Sequence, residues 1–338
     1  MPPNGRATVW TGAKLEDGVT HGIASASDDG TVRLWDAASG RQLSRIDARR
    51  RVASVAWSRD GGLLIARVPD GVLLLDAASG KERASIRQEA TFALAVGPST
   101  FAIASEAGVR AYELPRANQL ASFPLRAHAL LFLPDGTLLA NQGDGTLAHL
   151  DPRGRAPLPP LRVDADESSS LELVPDGRSV AVRHGDRVRL LEVQTGAVRS
   201  GPHQPGSSFS DLAFSPDGRV LATSELDGTI RFWDAISFAP LAGAAAPEVS
   251  SSFGLSFSPD GSVLLFLAGG SQRWSNGLHT VSLGHPEKLP PPEEHLQRAL
   301  AEHGLVMNAM DLDLAAPGAA APTHEPGMGA ISAPRPAR

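Results

Sequence analysis

The chain has 338 residues, 42% of them apolar and 20% charged, with a formal charge of −6. It contains no cysteine, which excludes a disulfide framework, a thiol nucleophile and thiolate-ligated metal sites. The acidic balance argues against a general nucleic-acid binder, and the longest apolar run, Val263 to Ala268, is far short of the roughly 20 residues a membrane helix needs. The opening MPPNGRATVW lacks the apolar stretch of a signal peptide. The expectation is a cytoplasmic protein with no membrane contact. Only Lys14, Lys81 and Lys288 are lysines; with abundant Arg, Ala, Gly and Pro, this suggests a GC-rich, bacterial source.

A short phrase ending in Asp-Gly punctuates the chain. It reads KLEDG ending at Gly18, WSRDG at Gly61, FLPDG at Gly136, LVPDG at Gly177, and FSPDG at Gly218 and again at Gly261; a degenerate copy, VGPST, ends at Thr100. The seven marks are 36 to 43 residues apart, and a fixed period of this size signals a repeat architecture.

Strand-like runs fill each unit. In the first, Gly22 to Ser27 leads through Asp28-Asp29-Gly30 into Thr31 to Trp35, and Ala37-Ala38-Ser39-Gly40 into Arg41 to Ile46. In the second, Val52 to Trp57 precedes the mark, Leu63 to Val68 follows it, and Pro69-Asp70-Gly71 turns into Val72 to Leu75. Later units repeat the order, with third runs at Val109 to Tyr112, Arg187 to Leu191 and Thr229 to Trp233. Asp-Gly between strand-like runs is a strong hairpin signal, because both residues tolerate the positive φ of tight turns. Four strands per unit and seven units predict an all-β, seven-bladed propeller of four-stranded antiparallel blades over residues 7–284. A ring lets each sheet cover its neighbour and leaves only short edges.

Ser27 to Asp36 (SDDGTVRLWD) and Leu226 to Asp234 (LDGTIRFWD) resemble the WD-repeat signature, and the FSPDG turns fit the same family. The resemblance implies a structural hydrogen-bonded network of Asp29 and Trp35 with Ser27 in the first unit. In the sixth it implies Asp227 and Trp233, with His203 as candidate for the network histidine. Units two to five depart from it, having Leu75-Asp76, Tyr112-Glu113, Leu150-Asp151 and Leu191-Glu192 in place of Trp-Asp, and unit seven offers Trp274-Ser275. The prediction is a propeller held mainly by apolar packing. Leu278 to Leu283 is assigned as the fourth strand of unit seven, with the closure of the ring left open.

From His285 the pattern changes. Leu289-Pro290-Pro291-Pro292 ends the strands, and Glu293 to His303 reads as a short helix with Leu296 and Leu300 on one face. Residues 285–314 are thus a C-terminal extension. Residues 315–338, dominated by Ala, Pro and Gly, are expected to be a disordered tail.

No metal, phosphate-binding or nucleophile motif is present, so no catalytic residue, metal or cofactor is assigned. Asp164-Ala165-Asp166-Glu167 reads as a solvated acidic loop. No set of His, Glu and Arg is aimed by periodicity at a central channel. The fourth-to-first loops carry Arg49, Arg50 and Arg51, then Arg87, then Arg126, and these form a candidate partner-binding basic sector opposite Asp164, Asp166, Glu167 and Glu248. The expected function is a non-enzymatic scaffold holding a protein or peptide, in bacterial signalling, regulation or defence as the resemblance implies. The alternative is an enzyme or small-molecule sensor using the central channel.

Overall fold

A computed structural model describes residues 10–11, 22–36, 41–88, 91–156, 158–163, 170–245, 249–258, 261–270, 277–282 and 307–310. Every described element is a strand. Sheet 1 holds β1 (Trp10–Thr11), β2 (Gly22–Ala26), β3 (Thr31–Asp36) and β4 (Gln42–Asp47). Sheet 2 holds β5 (Ser54–Trp57), β6 (Leu63–Val68), β7 (Gly71–Asp76) and β8 (Glu82–Arg87). Sheet 3 holds β9 (Thr91–Val96), β10 (Thr100–Ser105), β11 (Gly108–Glu113) and β12 (Gln119–Phe123). Sheet 4 holds β13 (Ala129–Phe132), β14 (Leu138–Asn141), β15 (Thr146–Leu150) and β16 (Leu158–Arg162). Sheet 5 holds β17 (Ser170–Leu173), β18 (Ser179–His184), β19 (Arg187–Glu192) and β20 (Val198–His203). Sheet 6 holds β21 (Phe209–Phe214), β22 (Val220–Glu225), β23 (Thr229–Asp234) and β24 (Pro240–Ala245). Sheet 7 holds β25 (Val249–Phe257), β26 (Val263–Gly270), β27 (Gly277–Ser282) and β28 (Met307–Met310). Each sheet is a four-stranded antiparallel meander in chain order.

The repeated phrases act through their side chains. In the lower turns Ser58 and Ser215 donate to Asp60 and Asp217, each at 2.6 Å. The same hydroxyls accept the amides of Leu63 and Val220, each at 2.9 Å, so one Ser-x-Asp pair closes the first hairpin of its sheet. In the upper turns Asp29, Asp144 and Asp227 accept the amides of Thr31, Thr146 and Thr229, each at 2.9 Å. These are Asx turns, in which the carboxylate takes the place of a backbone acceptor.

The core lies between sheets. Six apolar clusters each join two consecutive sheets, from sheets 1 and 2 round to sheets 6 and 7. Leu75, Tyr112, Leu150 and Leu191, which stand where the signature has Trp, are all buried in these clusters. Each such side chain contributes about 1.5–3 kcal/mol by burial, so the expected apolar packing is found.

The first strand of every sheet is the innermost, and these strands touch in sequence from β5 through β25. β1 touches both β5 and β25, so the ring closes by side-by-side packing of sheets 7 and 1. The assignment of Leu278 to Leu283 as a fourth strand is corrected: β27 pairs with β26 from Val263↔Ser282 to Ala268↔Gly277, which makes it the third. The fourth is β28, at Met307–Met310, inside the segment read as an extension. A strand that follows the second through one hairpin is necessarily the third, and Trp274-Ser275 lies outside the described residues. So do the Glu293–His303 helix, the 315–338 tail, the turn at 37–40 and the acidic residues Asp164, Asp166, Glu167 and Glu248.

Candidate functional site

Fourth-to-first loops and second-to-third turns share one face of the ring, here called the upper face. Its loops are tied to the turns. Ala48 N–H donates to Gly30 at 2.9 Å and Val52 N–H to Ser27 at 3.1 Å, which fixes the Arg49–Arg51 loop over the first upper turn. Arg51 then pairs with Asp28 at 2.6 Å, Arg50 reaches Asp70 of sheet 2 at 2.9 Å, and Arg126 pairs with Glu106. The expected basic sector is therefore largely neutralised by acids of the adjacent turns. Arg49 and Arg87 are exposed and make no ion pair among the described residues. Two apolar side chains are exposed on the same face: Phe92, with the Arg126 guanidinium 6.0 Å from its ring centre, and Leu226 at the tip of its turn.

The Trp-centred network is only partly as the resemblance implies. Trp35 donates its indole N–H to Ser25, and Trp233 donates to Thr223, both at 2.9 Å. Ser27 is not the partner; its hydroxyl accepts the Asp29 amide at 3.2 Å. Register explains this. Trp35 pairs with Ile23, so Ser25 is the same-face neighbour, and Ser27 is a further two residues, about 7 Å, along the strand. Asp29 is occupied by Thr31 and by Arg33 at 2.9 Å. Burial opposes ionisation there, but the Thr31 hydroxyl and amide, Ser27 and Arg33 together hold the carboxyl below its usual range. His203 ends β20 and bonds Asp186 of its own sheet at 3.1 Å, so it does not join Asp227 and Trp233.

Near the axis the structure reveals a polar set that the sequence reading missed. Arg183 on β18 donates from Nε to Ser170 on β17 at 3.0 Å, and from its terminal nitrogen to the Phe209 carbonyl of sheet 6. Asp211 on β21 accepts the Leu212 amide and, across to sheet 7, the Leu255 amide, each at 2.9 Å. Glu172 on β17 has desolvation and the nearby Asp211 charge pushing its carboxyl up to about 8. Burial likewise raises Asp211, against its amide donors and Arg183. Arg67 repeats the Arg183 arrangement in sheet 2, reaching Ser54 at 3.0 Å and the Thr91 carbonyl of sheet 3 at 2.8 Å. A Ser and an Arg thirteen residues apart, straddling an Asp-Gly turn, is the signal that could have found both. Among the described residues, no group of three His, Asp or Glu could hold a metal ion.

Seven four-stranded antiparallel sheets closed into a ring define a β-propeller, and the third strands of sheets 1 and 6 end in the Trp-Asp pair typical of WD repeats. The family model "WD domain, G-beta repeat" matches residues 8–36 and 198–234, the segments that end in these two Trp-Asp pairs. The chain is 23% identical over 241 residues to human serine-threonine kinase receptor-associated protein, covering 68% of each. It is 25% identical over 273 residues to the WD repeat-containing protein 91 homolog of Dictyostelium discoideum, covering 79% of this chain and 26% of that one. Among solved structures it resembles the β-propeller domain of Cps50 (Swd1) from Myceliophteria thermophila, with a TM-score of 0.66 and 20% identity, covering 80% of this chain and 96% of that one. That likeness shows the fold. These relatives are eukaryotic and give no support to the bacterial source suggested by composition.

Proposed function

We propose that the protein is a non-enzymatic scaffold that holds a protein or peptide partner on its upper face. The observation that carries this reading is the exposure of Phe92 and Leu226, 38% and 59%, on a face where backbone hydrogen bonds and three ion pairs join loops to the adjacent turns. Loops held rigid present such side chains at little entropic cost on binding. Arg49 and Arg87 are the charges left to steer a partner. The likeness to serine-threonine kinase receptor-associated protein, an interaction protein by its name, supports the class.

The test is affinity capture from the source cell with the intact chain and with a Phe92→Ser/Leu226→Ser variant. A specific co-purifying protein that is lost with the variant supports the reading. Equal capture by both forms, or reproducible retention of a small molecule alone, overturns it. The second outcome would favour a sensor that uses the axis, where Glu172, Asp211 and Arg183 gather.

A further inference from the structure

A recess lies on the outer wall of the ring, reaching from the upper end of β20 to the turn between β23 and β24. It is a cleft of about 570 Å³ between sheets 5 and 6, lined by Pro202, His203 and Gln204 from the end of β20 and by Arg231, Trp233, Phe238 and Leu241 from sheet 6. Its size falls within the range of ligand sites. Its floor is aromatic and aliphatic, and its lining carries the Arg231 guanidinium and the His203 imidazole, with no carboxylate among them.

Two features mark the cleft. The first is Phe238, which has φ of 58° in the turn from β23 to β24. The same turn position holds Gly80 at φ 67° in sheet 2 and Gly196 at φ 71° in sheet 5, with Ala117 at φ 58° in sheet 3. A bulky residue in this left-handed region is an uncommon and strained choice where sister sheets use glycine. Its ring reaches sheet 5, where the Arg199 guanidinium lies 5.6 Å from the ring centre, and it forms part of the cleft wall.

The second is the Arg231 guanidinium. Its Nε is held by Glu225, a carboxylate buried to 1% exposure, while its two terminal nitrogens make no hydrogen bond among the described residues. Asp227 is near enough to feel its charge, and Asp186 holds His203 from behind. A guanidinium clamped by Nε presents its remaining N–H groups in a fixed direction, the geometry that suits a carboxylate.

We infer that this cleft is a docking site for an extended, acidic peptide segment of a protein partner, with an Asp or Glu side chain on Arg231 and Gln204 and a neighbouring apolar side chain against Trp233, Phe238 and Leu241. The cleft is lined in part by β20 and β24, the outermost strands of sheets 5 and 6. Pro202 and Pro240 lack an N–H to pair, which makes side-chain recognition the main source of specificity over simple strand addition.

Selection of a displayed library of random linear peptides on the intact protein tests this. The expected result is enrichment of sequences with Asp or Glu beside an aromatic or aliphatic residue. A synthetic selected peptide should bind about tenfold more weakly to Phe238→Gly, to Arg231→Lys and to Gln204→Ala. It should weaken as much when its own acidic residue becomes the amide. Phe238→Gly restores the sister-sheet residue and Arg231→Lys keeps a cation against Glu225, so both should retain the wild-type circular dichroism. The Phe92→Ser/Leu226→Ser variant should bind the peptide normally, which separates this site from the upper face. No acidic consensus, undiminished binding to the three cleft variants, or loss only in the upper-face variant would each overturn the inference.

Discussion

Arg183 Nε and Ser170 Oγ stand 3.0 Å apart on adjacent strands of sheet 5, and Arg67 and Ser54 stand the same distance apart in sheet 2. In both sheets the far end of the guanidinium crosses to a carbonyl on the innermost strand of the next sheet, Phe209 or Thr91. A half-buried arginine thus ties consecutive sheets where the apolar clusters end. Arg183→Ala and Arg67→Ala should each lose about 1.5–3 kcal/mol, the range for hydrogen bonds from a charged donor, in urea unfolding. A loss under about 0.5 kcal/mol for both, the scatter of ordinary surface changes, would show that the ties contribute nothing.

The indole bonds give a second test. Trp233→Phe should cost about 1–3 kcal/mol, since it removes a donor and leaves the buried Thr223 hydroxyl unpaired. Adding Thr223→Val should recover part of that loss. In sheet 1, Ser25→Ala should destabilise more than Ser27→Ala, because only Ser25 receives the Trp35 N–H. Equal losses at both serines would argue for the network first implied by the family.

A pH dependence follows from Glu172. Its carboxyl is raised from 4.5 to about 8 by desolvation and by Asp211, so the folded state binds a proton more tightly than the unfolded state. Stability is then full below about pH 4.5 and is lost as pH rises towards 8. Asp211 is shifted in the same direction and adds to the trend. Glu172→Gln should flatten the slope between those limits and raise the melting temperature at pH 8. A variant melting profile parallel to that of the wild type across this window would contradict the assignment.

Gly71 is the most constrained upper turn. Its φ is 142°, and an added Cβ would lie 1.8 Å from the Ile86 carbonyl oxygen, so β7 and β8 would have to separate. Gly136 has φ of 85° with open space around it. Gly136→Ala should cost about 1 kcal/mol, from the left-handed backbone alone. Gly71→Ala should cost several times more, measured by thermal unfolding of the two variants side by side. Similar melting temperatures would count against the close approach.

Much of the architecture was legible because the turns carry their own chemistry. Ser58 with Asp60, and Ser215 with Asp217, close hairpins within five residues, so their spacing alone marks the period. The site was less legible. Arg50, Arg51 and Arg126 were readable as an upper-face group, but not their acid partners Asp70, Asp28 and Glu106, which come from turns about twenty residues away in the chain. The family resemblance points to Ser27, whereas strand register decides that the Ser25 hydroxyl meets the indole.

The amino-acid order by itself determined the number of sheets, their four-strand content and the apolar residues that pack between them, since hairpin chemistry and alternation are local properties. Only the closed ring decided the rest. It pairs the upper arginines with acids, gathers Glu172, Arg183 and Asp211 near the axis, and draws β28 from beyond the repeats to finish sheet 7. It also opens the cleft under Phe238, between strands whose nearest approach is set by the rotation from one sheet to the next. Distances between sheets depend on how all seven pack together, and no single segment encodes them.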